Sequence, residues 1–239
     1  MRYPARMQKP FPPASMIRTA LLLAGTAVWF FASPATAADC SFPAPREVDV
    51  RIQRMDGQVV VNNEHSLDTL RQMQRRSGRA NAFGSAWTPV GLTLTELKYQ
   101  MQLQIEALPL PTGRYCARLT TVNATLGYDT LSIFIARKFR PGSCAYHSIR
   151  DHEMTHVAVF QKALDEFYPR MQRRLERAAA QLLPVQSASP DLAAAYLRKR
   201  LGASINPLFL EMNRTLDRNN ARLDTPERYK QEQALCKDW

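Results

Sequence analysis

The chain has 239 residues, of which 45% are hydrophobic, and a formal net charge of +11 at pH 7. This length is sufficient for one domain with a substantial hydrophobic core. The excess of basic residues favours an anionic partner, but the sequence lacks an RNA-binding or base-stacking motif, so we do not expect it to bind nucleic acid.

The first 37 residues have the three-part pattern of a secretory signal peptide. A basic segment without acids precedes 14 uncharged residues, Thr19 to Ala32, and Ala35-Thr36-Ala37 forms a small-x-small cleavage site. The uncharged run is short for a membrane span, which needs about 20 residues. We therefore expect cleavage after Ala37, a periplasmic or secreted protein without a transmembrane span, and a mature chain of 202 residues with a charge near +7.

The mature chain begins with segments that favour strands. Val48 to Ile52 alternates apolar and polar residues, and Gln58 to Val61 follows an Asp56-Gly57 pair that is typical of hairpin turns. Ser66 then predicts the N-cap of a short helix that continues to Arg76, and a loop is expected over 78–91.

The middle of the chain predicts a helix followed by a hairpin. Thr93 to Leu108 has apolar residues at helical spacing, and Pro109 ends it. Arg114 to Val122 and Thr130 to Phe139 are predicted as two strands joined by a turn over 123–129, which contains a glycine.

The rest of the chain is predicted to be helical. A long amphipathic helix should start soon after Ser143 and keep its apolar phase across Pro169. Separate helices are expected over 191–201 and 207–222, followed by a short one with Pro226 in its first turn. The predicted fold class is α+β, with a small antiparallel sheet, a catalytic domain over 38–183 and a helical extension over 184–239.

The most informative motif is His-Glu-Met-Thr-His at 152–156, an HExxH pentad. On a helix, His152 and His156 lie on one face and can bind one metal ion, for which zinc is the expected identity. Glu153 is placed to act as the general base that takes a proton from a zinc-activated water.

A third metal ligand is not identified by spacing alone. The metzincin continuation is excluded because Val159 and Lys162 stand where glycine and histidine are required. Glu176 lies twenty residues after His156, and it can reach the metal only if the chain reverses near Pro169. On an unbroken helix, Glu176 would lie about 30 Å from His156. Four acidic candidates remain open: Glu176, Glu211, Asp217 and Asp224.

The four cysteines all lie in the mature chain, and an even number in an exported protein predicts two disulfides. Three pairings are possible. The favoured one joins Cys116 to Cys144, which would tie the sheet to the start of the HExxH helix, and Cys40 to Cys236, which would join the termini.

The arrangement Cys-x-Tyr-x-x-Ile-x-x-HExxH-Val, from Cys144 to Val157, resembles the predicted secreted zinc-dependent proteases of bacteria. The resemblance covers residues 114–167, and the segment 219–225 is a second, weaker point of similarity. It implies a zincin-like domain in which the strand before the HExxH helix, here Thr130 to Phe139, lies along the cleft and pairs with an extended peptide.

Two functions are consistent with these patterns. The leading one is an exported zinc metallopeptidase acting on a peptide or protein substrate. The alternative is a non-catalytic envelope protein with a degenerate or structural metal site, which binds a partner or an anionic polymer. An acid or histidine within about 2–4 Å of the point where both imidazoles converge, open to solvent, would favour the enzyme. Contact with an anionic envelope surface is in keeping with the basic charge in either case.

Overall fold

A computed structural model describes residues 40–77, 88–237 and 239, so the signal-peptide pattern and most of the predicted 78–91 loop lie outside the described residues. The elements in chain order are β1 (Asp49–Met55), β2 (Gln58–Asn62), α1 (Leu67–Arg76), β3 (Gly91–Pro109), β4 (Tyr115–Ile135), α2 (Cys144–Ala180), β5 (Val185–Ser187), α3 (Pro190–Leu223) and α4 (Pro226–Ala234). No helix among these has both the length and the apolar character that a bilayer crossing requires.

The sheet is built around β4, with which all four other strands pair. β3 runs antiparallel to β4 along almost its whole length, and β5 is antiparallel to its first residues. β1 and β2 are parallel to β4 and pair with it one after the other. The α+β class is thus confirmed, but the purely antiparallel sheet is wrong. Asp56-Gly57 does not reverse the chain, because β1 and β2 follow the same edge of β4 in the same direction.

The segment predicted as a helix over 93–108 is the long strand β3. Leu97, Met101 and Ile105 are four residues apart, a spacing that fits a helix and a strand equally well. Tyr99 and Leu103 fill the alternate positions, and between 96 and 104 the even-numbered residues are exposed or half-buried while the odd-numbered ones face the protein interior. This period of two is the signal that the helical interpretation overlooked.

The hairpin predicted within 114–139 is also wrong, since β4 is one unbroken strand over this region. Gly127 does not form a turn. It lies against the backbone of Met55 in β1, where an added Cβ would collide with the Met55 carbonyl. The reversal occurs earlier, between β3 and β4, where Gly113 donates to the Leu110 carbonyl at 3.0 Å.

Three helical predictions are confirmed, and one is corrected. α1 starts at its predicted Ser66 cap, α2 continues across Pro169, and α4 follows Thr225 with Pro226 in its first turn. The two helices predicted over 191–201 and 207–222 are one continuous helix, α3. Its buried side chains keep helical spacing on both sides of Gly202 and Pro207, so tertiary packing favours continuation over a break.

The core lies between the sheet and the two long helices. Tyr128 of β4 and Phe160 of α2 are both fully buried and meet edge to face at 5.8 Å. α3 packs along α2, and α4 then returns to the start of α2. The HExxH residues of α2 therefore lie buried next to this core, while the end of α3 and α4 approach them from the other side.

The disulfides join Cys40 to Cys116 and Cys144 to Cys236, so the favoured pairing is wrong. Cys116 lies at the start of β4 and α2 begins after its far end. Nineteen residues of extended strand separate Cys116 from Ile135, which is about 60 Å along the strand. Cys116 cannot reach Cys144 across that distance, whereas α4 brings Cys236 back to it.

Candidate metal centre

The HExxH residues occupy the buried face of α2. His152, Glu153 and His156 are each no more than 4% exposed. The two histidines are one helical turn apart, and their Nε2 atoms are 3.3 Å from each other. The prediction that the pentad lies on a helix with both imidazoles on one side is therefore confirmed.

The third donor is Asp224, the residue at the C-terminal end of α3. Its Oδ1 lies 3.3 Å from His152 Nε2 and 3.1 Å from His156 Nε2. These three residues form a group that could hold a metal ion. A tetrahedral ion with bonds of about 2.0–2.1 Å keeps its ligand atoms about 3.3–3.4 Å apart, so the observed separations fit such an ion.

Hydrogen bonds on the outer side of each histidine orient the two rings. His152 Nδ1 lies 3.0 Å from Glu232 Oε1, and His156 Nδ1 lies 2.8 Å from Asn220 Oδ1. Carboxylate and amide oxygens only accept, so each Nδ1 carries the proton and donates. Once the proton on Nε2 is lost, each ring presents the Nε2 lone pair to the point facing Asp224, as metal-binding histidines require.

Two further residues define the environment of the carboxylates. Thr93 of β3 donates its hydroxyl to Glu153 Oε2 at 2.7 Å, and Tyr229 of α4 donates to Asp224 Oδ1 at 2.7 Å. Gly91 lies beside Glu153 on the same strand as Thr93, and an added Cβ would stand only 2.5 Å from Glu153 Oε1. The start of β3 thus fits closely around the Glu153 carboxylate.

The electrostatics favour protonated histidines in the metal-free site. Burial lowers the pKa of His152, but the hydrogen bond to Asp224 and the charges of Glu153 and Glu232 outweigh it and raise that pKa to about 9. The same balance raises the pKa of His156. Burial raises the pKa of Glu153, whereas the two histidines hold the pKa of Asp224 well below its usual range in spite of burial. A metal ion binding here would displace these protons.

The Cys144–Cys236 disulfide joins a residue two positions beyond α4 to the first residue of α2. α4 carries Tyr229 and Glu232, both of which contact the histidines or Asp224. The covalent link therefore keeps this outer layer of the site against the helix that carries the pentad.

The remaining acidic candidates lie away from the site. Because α2 is continuous, Glu176 is about 30 Å along the helix from His156 and contacts Gln172 instead. Glu211 pairs with Arg170, and Asp217 is not in the metal-binding group. Sequence reasoning missed Thr93, Tyr229 and Glu232. Asn220 and Asp224 both fall in the 219–225 segment, the one signal that pointed to them.

A narrow cavity beside the pentad is bounded by the start of β3 on one side and α4 on the other. Its lining residues are Pro89, Val90, Gly91, Ile149, His152, Glu153, Tyr229, Glu232 and Trp239. The strand expected to lie along the cleft, Thr130 to Phe139, does not do so. Residues 131–134 pair with β2 on one side and with β3 on the other, so both edges of this part of β4 are occupied, and β4 ends at Ile135.

Comparisons of the chain with protein-family models, with curated proteins and with solved structures gave no match. The resemblance to the secreted zinc-dependent proteases therefore stays a prediction.

Proposed function

We propose that this chain is an exported zinc-dependent metallopeptidase, in which His152, His156 and Asp224 hold the ion and Glu153 is the general base. The observation that carries the proposal is the convergence of three donor atoms, at the spacing of a tetrahedral site, beside a buried carboxylate. Catalytic zinc typically has three protein ligands and one open position, which matches this donor set. Export is supported by the signal-peptide pattern and the two disulfides.

Zinc, when bound, lowers the pKa of water towards neutrality and polarises the substrate carbonyl. Glu153 takes the proton from the attacking water and passes it to the leaving amine. Its pKa is raised by burial, which brings it closer to the working pH of a base that must also act as an acid. The Thr93 hydroxyl fixes one carboxylate oxygen, so the other is the atom available for proton transfer.

The proposed substrate-binding edge is β3 rather than the predicted Thr130 to Phe139. Among the described strands, β3 pairs with β4 alone, and its first residue, Gly91, lies against Glu153. An extended peptide that adds to this edge would place its backbone next to the general base. Main-chain hydrogen bonds of this kind are independent of side-chain identity, which suits a peptidase.

The alternative is a structural metal site in a non-catalytic protein. Structural zinc sites are closed by four protein ligands, whereas the described residues supply a group of three. The Asp224 side chain is 32% exposed although both histidines are at 3%. The site is thus accessible from the Asp224 side, which favours the enzyme.

The test is metal analysis combined with cleavage of a broad peptide library by the wild type and two matched variants. Glu153→Gln should retain about one zinc per chain and lose about 100- to 10,000-fold in cleavage rate. Glu176→Gln, the same change on the same helix but far from the site, should behave as the wild type. The proposal fails if the wild type binds no zinc even after zinc is supplied, or if Glu153→Gln cleaves as fast as the wild type.

A further inference from the structure

The end of the helical hairpin farthest from the pentad concentrates positive charge. We call residues 173–200 the tip; it comprises the last turns of α2, β5 and the first turns of α3. The tip has two acids, Glu176 and Asp191, whereas the rest of the mature chain has 22 basic against 19 acidic residues. The six cations of the tip are Arg173, Arg174, Arg177, Arg198, Lys199 and Arg200.

All six cationic side chains are exposed. None of them forms an ion pair with another described residue. Arg170, one turn before the tip, is different because it pairs with both Glu166 and Glu211. The charge of the tip is therefore available to an external partner.

Large apolar side chains are exposed at the same end. Leu183 is 78% exposed, Leu192 59% and Tyr196 47%. Leu192 and Tyr196 are one helical turn apart on α3, and Lys199 and Arg200 continue the same face one turn further on. An exposed apolar stripe that leads into cations is typical of a helix face that lies at a membrane surface.

The cations of α2 and those of α3 lie at the same end of the two helices. α2 and α3 run side by side, and Arg174 of α2 donates to the Ser204 carbonyl of α3 at 3.0 Å. The chain also enters the described structure here, because Cys40 to Phe42 line one cavity of about 1180 Å³ together with Arg177 and Leu182. The first described residues of the chain therefore lie beside the tip.

We propose that the tip docks on the headgroup region of an anionic lipid bilayer. Leu183, Leu192 and Tyr196 insert at the interface, and the six cations contact the anionic headgroups. A soluble polyanion would use the cations but gain nothing from the exposed leucines and tyrosine, which is why the bilayer is the favoured partner. Arg177 is 21 residues beyond His156, about 32 Å along α2, so the cleft would remain clear of the membrane.

The test is sedimentation with vesicles at 0.15 M NaCl, using protein exported by cells that express the full chain. Vesicles of phosphatidylcholine alone are compared with vesicles containing 30% phosphatidylglycerol. We expect binding to the anionic vesicles only. Arg198→Gln/Lys199→Gln/Arg200→Gln should weaken binding on the order of 100-fold, since each cation near an anionic surface contributes about fivefold. Leu192→Ser/Tyr196→Ser should weaken it on the order of tenfold.

The matched control is Arg137→Gln/Lys138→Gln/Arg140→Gln, which removes three exposed cations before the opposite end of α2. It should retain vesicle binding within a few-fold, and all variants should keep the wild-type circular dichroism spectrum. Equal losses in both triple variants would overturn the proposal, because the binding would then follow net charge. The proposal would also be overturned if the protein bound dextran sulfate as tightly as vesicles and Leu192→Ser/Tyr196→Ser did not weaken that binding. A wild-type protein that does not bind anionic vesicles would overturn it as well.

Discussion

Replacing Gly91 by alanine adds a single methyl group beside the general base proposed for this site. The new Cβ would lie 2.5 Å from Glu153 Oε1 and 2.6 Å from Ile149 Cγ2. Ordinary van der Waals contact requires about 3.5 Å or more, so the carboxylate or the strand must move by about 1 Å. The backbone of Gly91 is not in the left-handed region, and the effect therefore comes from space alone.

Two magnitudes follow from this displacement. Overpacking a buried site by one methyl group costs about 1–3 kcal/mol of folding stability, which lowers the Tm of a domain of this size by about 2–12 °C. A catalytic group misplaced by about 1 Å can lose about 100-fold in rate. We expect kcat to fall by that order with the zinc content unchanged, because the three atoms nearest to the new methyl group belong to Glu153 and Ile149 and not to the proposed zinc ligands.

The assay compares kcat, KM, zinc content and Tm of Gly91→Ala with those of Gly202→Ala. Gly202 lies within α3, and an added Cβ there meets no atom within 4 Å. Gly202→Ala should keep full activity and gain up to about 1 kcal/mol, since alanine favours a helix over glycine. Full activity together with an unchanged Tm in Gly91→Ala would refute the close fit of β3 around Glu153.

Three further predictions concern the ligands and their surroundings. Asp224→Asn keeps the shape of the side chain but removes its charge, and we expect zinc affinity to fall about 100-fold or more in competition with a chelator; unchanged affinity would exclude this residue as a ligand. Thr93→Val removes the hydroxyl that holds Glu153, and kcat should fall about tenfold while zinc is retained and Thr93→Ser restores activity; a loss that serine does not restore would indicate a packing role only. The pKa of His152 is raised to about 9, so protonated His152 stabilises the folded, metal-free protein. This contribution to the free energy of unfolding is up to about 3 kcal/mol; it is fully present below pH 6.5 and is lost as the pH rises through 9. Urea denaturation at pH 6.5 and 9.5 should show this loss in metal-free protein and a smaller one in zinc-loaded protein, and equal losses in both would contradict it.

The local part of the site could be predicted because it depends on a single helix. His152, Glu153 and His156 share one turn of α2, and any helix over this segment places both imidazoles on one face. The cap at Ser66 was predictable for the same reason, since a side-chain oxygen that accepts a backbone N–H acts within three residues.

The third residue of the candidate metal centre depends on contacts between elements. Asp224 is 68 residues beyond His156 and reaches it because α3 continues through Gly202 and Pro207 to end beside the pentad. Local propensity favours a break at both positions, so the sequence left Asp224 as one of four acidic candidates. Burial of one face of the whole helix overrides that propensity.

The prediction of a helix over 93–108, where the structure has β3, was wrong for a similar reason. Apolar residues four positions apart fit both a helix and a strand. This segment is a strand because it pairs with the 21-residue strand β4. That long strand also separates Cys116 from Cys144 and so determines the disulfides.

The sequence alone thus determined the chemistry available to this protein: two histidines and a glutamate on one helical turn, four cysteines, and an N-terminal segment with an export pattern. The pentad depends on residues within five positions of each other, and the cysteine count and the export pattern can be read without knowledge of the fold. Only the tertiary structure decided that Asp224 joins the two histidines in one potential metal-binding group, that Thr93 and Gly91 shape the space around Glu153, and that β3 pairs with β4 alone among the described strands. Each of these depends on segments tens of residues apart, whose approach is set by burial of the common core rather than by local sequence.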